Sequence, residues 1–111
     1  MNVKIEIDPG VCGFLATARV STEDQQAVDI EVTSKCELVT TLGELWKKEA
    51  PIDGYQELGP EESVVLKTAR TLLQIKGCCE ACVVPAGVSK AVQVATGLAL
   101  PKNVAMTMTV D

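Results

Sequence analysis

Three of the five cysteines of this chain lie within the run KGCCEACVVPAG, at positions 78, 79 and 82. The Cys79-x-x-Cys82 spacing is typical of zinc knuckles and of dithiol redox motifs, and iron–sulfur clusters are also held by cysteine thiolates. The residue types therefore support thiolate chemistry, in which the sulfur acts as a metal ligand, a redox group or a nucleophile.

The other two cysteines, Cys12 and Cys36, lie in settings that suit a thiolate. Cys12 is part of PGVCGF, where the glycines leave backbone N–H groups able to approach a sulfur. Cys36 and Cys82 lie in or just before the first turn of predicted helices, where unpaired N–H groups and the helix dipole predict a lowered thiol pKa. Free cysteine also packs as a small hydrophobic residue, and Cys36 fits equally well as an extension of an apolar helix stripe.

Composition excludes several classes of function. The chain has 111 residues, enough for one domain spanning 1–111, and its formal net charge is −5 with 3% aromatic residues. A phosphate backbone requires a basic face and bases require aromatic platforms, so we expect no nucleic-acid partner. The chain has no histidine, so a zinc site needs four cysteines, or three and a carboxylate such as Glu80.

The hydropathy pattern also bears on location. The N-terminal run MNVKIEID alternates and does not resemble a secretory signal. No apolar run approaches the ~20 residues that a membrane span needs, so we expect no membrane partner. A cytoplasmic location is the resulting expectation, and thiols there are kept reduced, which favours metal or catalytic roles over structural disulfides.

Periodicity predicts the elements that must position these thiols. Apolar and polar side chains alternate at period two, which is typical of half-buried strands, in four stretches: 2–8, 13–20, 26–33 and 103–110. Between the third and fourth of these stretches the period becomes that of a helix, and turn residues divide the region into three helices. The predicted order is β-β-β-α-α-α-β: an α+β two-layer domain, with a four-stranded, mainly antiparallel sheet and three helices on one face.

Local signals mark the ends of the helices. Ser34 and Glu37 have the S-x-x-E spacing of a capping box at the first helix. Pro60 and the two glutamates after it suit the start of the second helix, and the third begins near Pro85. Acidic residues at 53, 57, 61 and 62 are interpreted as a solvated rim. The predicted core is aliphatic and consists of Val3, Ile5, Val28, Ile30, Val32, Leu42, Leu45, Val65, Leu72, Val92 and Met106.

This order of elements predicts where the cysteines lie. We assume that each short connection reverses the chain. Three segments then lie at the same end of the sheet: the loop with Cys12, the start of the first helix with Cys36, and the connection with Cys78, Cys79 and Cys82. Buried structural cysteines have no reason to prefer one end. The prediction is therefore that Cys12, Cys36 and Cys82 converge, with Cys78 or Cys79 beside them.

Four runs of sequence, PGVCGF, SKCELV, ACVVPAGVSKA and GLALPKNV, span most of the chain. In these runs the chain resembles a small family of proteins of unknown function that is associated with anaerobic microbes. The resemblance implies that Cys12, Cys36 and Cys82 are the family's cysteines, and it extends less firmly to Cys78 and Cys79. It implies no reaction.

Three functions are compatible with these observations. The first is a metal site for zinc or an iron–sulfur cluster, with ligands drawn from Cys12, Cys36, Cys78, Cys79 and Cys82. The second is thiol redox or sulfur transfer through Cys79 and Cys82. The third is a non-catalytic interaction domain in which the cysteines only pack. No catalytic residue is assigned, and a protein partner or a homodimer stays open.

Overall fold

Three strands form a meander whose apolar side chains share one face. The computed structural model describes residues 1–76 and 79–111, and in it these strands are β1 (Val3–Ile7), β2 (Ala16–Thr22) and β3 (Ala27–Ser34). β1 pairs with β2, and β2 with β3, both antiparallel. Their alternating residues are buried on one side, as period-two patterning requires. The first three predicted strands are therefore confirmed, within a few residues at each end.

The fourth strand is not the predicted one. β4 (Ile52–Asp53) pairs antiparallel with β3 and completes the sheet order β1-β2-β3-β4. Residues 103–110 form neither strand nor helix and are exposed, so the strand predicted there is wrong. Alternation specifies the two faces of a strand but supplies no neighbouring backbone, and the described part of the chain provides none for this segment. The α+β class, with four antiparallel strands and three α-helices, is nevertheless confirmed.

Three α-helices cover the apolar face of the sheet: α1 (Glu37–Glu49), α2 (Val64–Lys76) and α3 (Val84–Ala95). α1 packs against β3, α3 packs against β1 and β2, and α2 contacts both α1 and α3. The indole N–H of the fully buried Trp46 donates to the carbonyl of Val65 at 3.2 Å, which joins α1 to α2. No helix in residues 1–76 and 79–111 is long and apolar enough to cross a membrane.

The start of α1 differs from the predicted capping box. Cys36, not Ser34, is the residue that precedes the first helical turn, and no side chain caps it. The Ser34 hydroxyl instead accepts a hydrogen bond from the Cys36 N–H at 3.1 Å and donates to the Leu15 carbonyl at 2.9 Å. Ser34 therefore fixes the entry of the chain into α1 to the start of β2, because β3 includes Ser34 and α1 begins two residues later than a Ser34 cap would place it.

The core is aliphatic apart from Trp46, as predicted, with one exception. Val28, Ile30, Leu42 and Val92 are at most 1% exposed, whereas Met106 is 79% exposed and lies outside the core. The prediction for Met106 depended on the strand at 103–110 and is wrong for the same reason. The other predicted core residues are buried or packed partly exposed against the core: Val3, Ile5, Val32, Leu45, Val65 and Leu72.

A buried glutamate connects the helices to one another. Glu57 lies in the short 3₁₀ helix Gly54–Leu58 and is 6% exposed, so its interpretation as part of a solvated rim is wrong. Its carboxylate accepts hydrogen bonds from the Ser63 hydroxyl, from the Ser89 hydroxyl at 2.8 Å and from the Val65 N–H at 3.4 Å. The Gln93 side chain donates to the Glu57 carbonyl at 2.9 Å. The network joins the start of α2 to the middle of α3.

Glu57→Gln should lower the free energy of unfolding by about 1–3 kcal/mol, because an amide cannot accept all three of these hydrogen bonds and leaves a buried donor unsatisfied. Chemical denaturation measures the change. The control is Glu61→Gln, the same substitution at an exposed position, which should be nearly neutral. Equal stabilities for the two variants would contradict a structural role for the buried carboxylate.

Leu42→Ala should cost ~2–5 kcal/mol of unfolding free energy, because Leu42 is fully buried between α1 and the sheet and truncation leaves a cavity. Leu66→Ala provides a matched control, since Leu66 is 38% exposed on α2. Its loss should be about 1 kcal/mol or less. Equal denaturation midpoints for the two variants would contradict the burial of Leu42 between α1 and the sheet.

Candidate thiolate site

The connection between β1 and β2 presents Cys12 on a tight turn. The Gly10 N–H donates to Asp8 Oδ1 at 3.0 Å, and the Gly13 N–H donates to the Gly10 carbonyl at 2.9 Å. Gly10 and Gly13 have φ angles of 95° and 72°, a region that favours glycine, so the turn depends on both. The two glycines bracket Cys12 and leave it exposed. Its side chain can therefore reach neighbouring groups with little packing to oppose it.

Cys36 occupies the residue immediately before α1. Its carbonyl accepts the Thr40 N–H at 2.9 Å and the Thr40 hydroxyl at 3.0 Å, which fixes the backbone at this position. The residue is half-buried and packs against the core. Cys36 therefore packs as an extension of the apolar helix stripe, as that interpretation predicts. Part of the residue is still accessible to solvent.

Cys79 and Cys82 belong to the turn that precedes α3. The Cys82 N–H donates to the Cys79 carbonyl at 2.9 Å, and Cys79 has a φ of 51°. A left-handed conformation costs a residue other than glycine roughly 1–2 kcal/mol, so the surrounding structure holds this turn. Cys82 is half-buried against the core and Cys79 is exposed. Cys78, the remaining candidate, lies outside the described residues.

These connections meet at one end of the sheet. Ile7 pairs with Ala16, and Ala16 pairs with Ser34, so the loop of Cys12 and the start of α1 are neighbours. The first half of α3 lies against the same end, because Gly87 packs closely on Ile7. The shared end predicted for the connections that contain Cys12, Cys36 and Cys82 is confirmed, and the convergence of their sulfur atoms stays a prediction. We call this region, comprising Cys12, Cys36, Cys79 and Cys82, the thiol pole.

The pKa of Cys82 reports electrostatic contact within the thiol pole. Burial raises the pKa of this thiol, and negative charge on Cys79, Cys12 and Cys36 raises it further. The Val84 N–H acts in the opposite direction by donating a hydrogen bond to the Cys82 sulfur. The sequence predicts a lowered pKa at Cys82 from the helix start alone; this is wrong, because desolvation outweighs the single N–H donor.

The thiol pole is not assembled as a finished metal site. Within residues 1–76 and 79–111, no group of three or more Cys, Asp or Glu side chains has the spacing to hold a metal ion. Cys12, Cys36 and Cys82 are free thiols. The arrangement is therefore compatible with a metal ion that brings the sulfur atoms together on binding. It is equally compatible with reduced thiols that remain apart.

The comparison with known proteins gives a family and no activity. The profile of a family of unknown function, DUF6951, matches residues 3–108. This match covers nearly the whole chain, which therefore belongs to that family. No curated protein and no solved structure matches. The resemblance to a family of unknown function is confirmed.

Alkylation of Cys82 should show the raised pKa directly. We expect the midpoint of its rate against pH to lie higher in the folded chain than in urea, because burial and neighbouring thiols disfavour the thiolate. Cys36→Ser removes one like charge and should lower the midpoint. Peptide mass spectrometry after timed iodoacetamide treatment measures the rates, and the position of the midpoint is independent of overall accessibility.

The control for this experiment removes a charge at the opposite end of α1. Glu49→Gln should leave the Cys82 midpoint unchanged, since Glu49 is exposed at the last turn of the helix. Equal shifts in Cys36→Ser and Glu49→Gln would mean that Cys82 senses the net charge of the chain and not its neighbouring thiols.

Proposed function

We propose that this member of DUF6951 binds a metal ion, zinc or the iron of an iron–sulfur cluster, through cysteines of the thiol pole. The ligands would be Cys12, Cys36, Cys82 and one of Cys78 and Cys79. The observation that carries the proposal is the shared end: three separate connections that contain cysteines lie at one end of the sheet. Packing of small apolar residues gives no reason for cysteines to share one end.

Electrostatics favours a cation at this pole. Negative charge on the neighbouring thiols contributes to the raised pKa of Cys82, and a metal ion would remove this repulsion while it deprotonates the coordinating thiols. Because the pKa of Cys82 is raised, metal must displace its proton. Binding would therefore release a proton from Cys82 and strengthen as pH rises toward the pKa of that thiol.

Backbone N–H groups at the pole suit a sulfur ligand. The Val84 N–H already donates to the Cys82 sulfur, as the groups around a metal ligand commonly do to orient it and tune its basicity. At the turn of Cys12 the N–H groups of Gly10 and Gly13 already donate within the turn, so the N–H donor to a sulfur ligand is that of Val84. A soft, all-thiolate donor set of this kind fits zinc and iron–sulfur clusters, and it does not fit Mg²⁺ or Ca²⁺.

Metal binding would complete the site through movement of exposed turns. Cys12 and Cys79 are exposed, while Cys36 and Cys82 are held by the core. The half-buried pair therefore supplies a fixed base, and the exposed pair can approach it. Coupling between metal binding and local ordering is common in small metal sites.

Thiol redox chemistry is the main competing function. It is favoured by the turn in which the Cys82 N–H bonds to the Cys79 carbonyl, since this keeps the two cysteines close. It is opposed by the raised pKa of Cys82, because a nucleophilic or redox-active cysteine depends on its thiolate form at neutral pH. Metal binding is compatible with both observations.

Anaerobic purification with elemental analysis and a visible spectrum tests the proposal. We expect iron with sulfide, or zinc, in stoichiometric amount with the chain, and release of protons on loading of the metal-free protein. Co²⁺ substitution adds a direct readout, because cobalt–thiolate charge-transfer absorption scales with the number of sulfur ligands. Cys36→Ser and Cys82→Ser should each reduce both metal content and this absorption.

The control variant is Asp53→Asn, which removes an exposed carboxylate at the opposite end of the sheet and should leave metal content unchanged. We place the protein in the cytoplasm, so the purification keeps its thiols reduced. A reduced chain that contains no metal and gives no cobalt–thiolate absorption would overturn the proposal. Rapid, selective alkylation of Cys79 or Cys82 near neutral pH would then favour redox chemistry.

A further inference from the structure

The segment 104–110 has the chemistry of a strand and lacks a strand's partner. Its apolar residues alternate with Ala105, Thr107 and Thr109, and charge is absent between Lys102 and Asp111. The apolar side chains are between 61% and 102% exposed: Val104, Met106, Met108 and Val110. An extended, uncharged and alternating segment with exposed apolar residues is a strong candidate for pairing with a sheet edge.

β1 provides an edge of matching character. It is the first strand in the sheet order and pairs on one side only, with β2. Within the described residues, no backbone hydrogen bond joins residues 103–111 to β1, although the Lys102 N–H donates to the nearby Leu100 carbonyl at 2.8 Å. The outer backbone groups of β1 therefore have no strand partner in the described part of the chain.

A groove lies along this edge of the sheet. It encloses about 600 Å³ and is lined by β1, by α3 and by the beginning of the segment, including Val104 and Met106. Small residues form its α3 wall: Gly87 lets α3 pack closely on Ile7, where a Cβ would lie 2.8 Å from Ile7 Cδ1, and Ala86 and Ala91 also line the groove. Flexible methionine side chains suit a groove of this shape.

We propose that residues 104–110 of one copy add as a fifth strand to the β1 edge of a second copy, and that the exchange is reciprocal. The segment begins at the groove beside its own β1 edge, so a twofold axis at that edge would bring each segment alongside the other copy's β1. Such an isologous arrangement closes as a dimer and uses both free edges. Val104, Met106, Met108 and Val110 would face the apolar side of the enlarged sheet.

The dimensions fit a second copy as the partner of β1. At about 3.3 Å per residue, residues 104–110 extend about 23 Å, enough to cover the whole of β1, which is about 17 Å long. This chain contains both the β1 edge and an alternating segment that can cover it. A second copy therefore supplies a matching strand without any other protein. The inference is independent of metal binding at the thiol pole.

Sedimentation velocity of the 111-residue chain in reductant tests the proposal, since reductant excludes disulfide-linked dimers. We expect a species of about twice the 11.8 kDa chain mass at micromolar concentrations. Met106→Lys should weaken dimerisation by about tenfold or more, because it places a charge on the apolar face. Thr107→Lys inserts the same residue on the opposite face and should change the dimer dissociation constant by about twofold or less.

Truncation after Asn103 supplies a second, independent measurement. The shortened chain should be monomeric and retain its thermal unfolding as a folded domain, and hydrogen exchange at the β1 amides should become faster. A monomeric full chain at every concentration, or a dimer that survives truncation, overturns the proposal. Protected amides at 104–110 in a monomer also overturn it, since the segment would then pair with its own β1.

Discussion

The helical layer depends on one buried carboxylate. Glu57 accepts hydrogen bonds from the start of α2 and from Ser89 on α3, and it lies in a segment that sequence alone would place in solvent. A carboxylate without these donors would be costly to bury, so the donors and the acceptor stabilise one another. The network sets α2 against α3, and the connection between these two helices contains Cys79 and Cys82. The network therefore holds the start of α2 and the middle of α3 together, and these are the two helices that flank this connection.

The thiol pole combines a rigid part with an accessible part. Cys36 and Cys82 are anchored by packing next to helix starts, and Cys12 and Cys79 stand on exposed turns. Repulsion between thiolates and desolvation both raise the pKa of Cys82. A free thiol in this setting is a poor nucleophile, and a cation is the ligand that relieves both costs. The balance between these terms is the physical basis for preferring metal binding over redox chemistry.

The two edge strands of the sheet, β1 and β4, each pair on one side only. They differ in how much of an unpaired edge they present. β4 is short and covers only the end of β3, as is common for edge strands that avoid association. β1 is longer, and the alternating segment 104–110 begins beside it without pairing to a strand in residues 1–76 and 79–111. The alternation of residues 104–110 is typical of a strand, and it does not record which sheet edge that strand pairs with.

The sequence by itself determined the local patterns: three alternating strands, three helices, an aliphatic core and the shared end of the cysteines. These follow from side-chain periodicity and from chain reversal, which are properties of neighbours along the chain. Tertiary structure decided what depends on distant groups. Burial of Glu57 required donors from two helices, and the raised pKa of Cys82 required desolvation by the core. The fourth strand is Ile52–Asp53 and not residues 103–110, because its partner is the edge of β3, which lies far away along the chain. No local pattern records those partners, because each is supplied only when separate elements pack together.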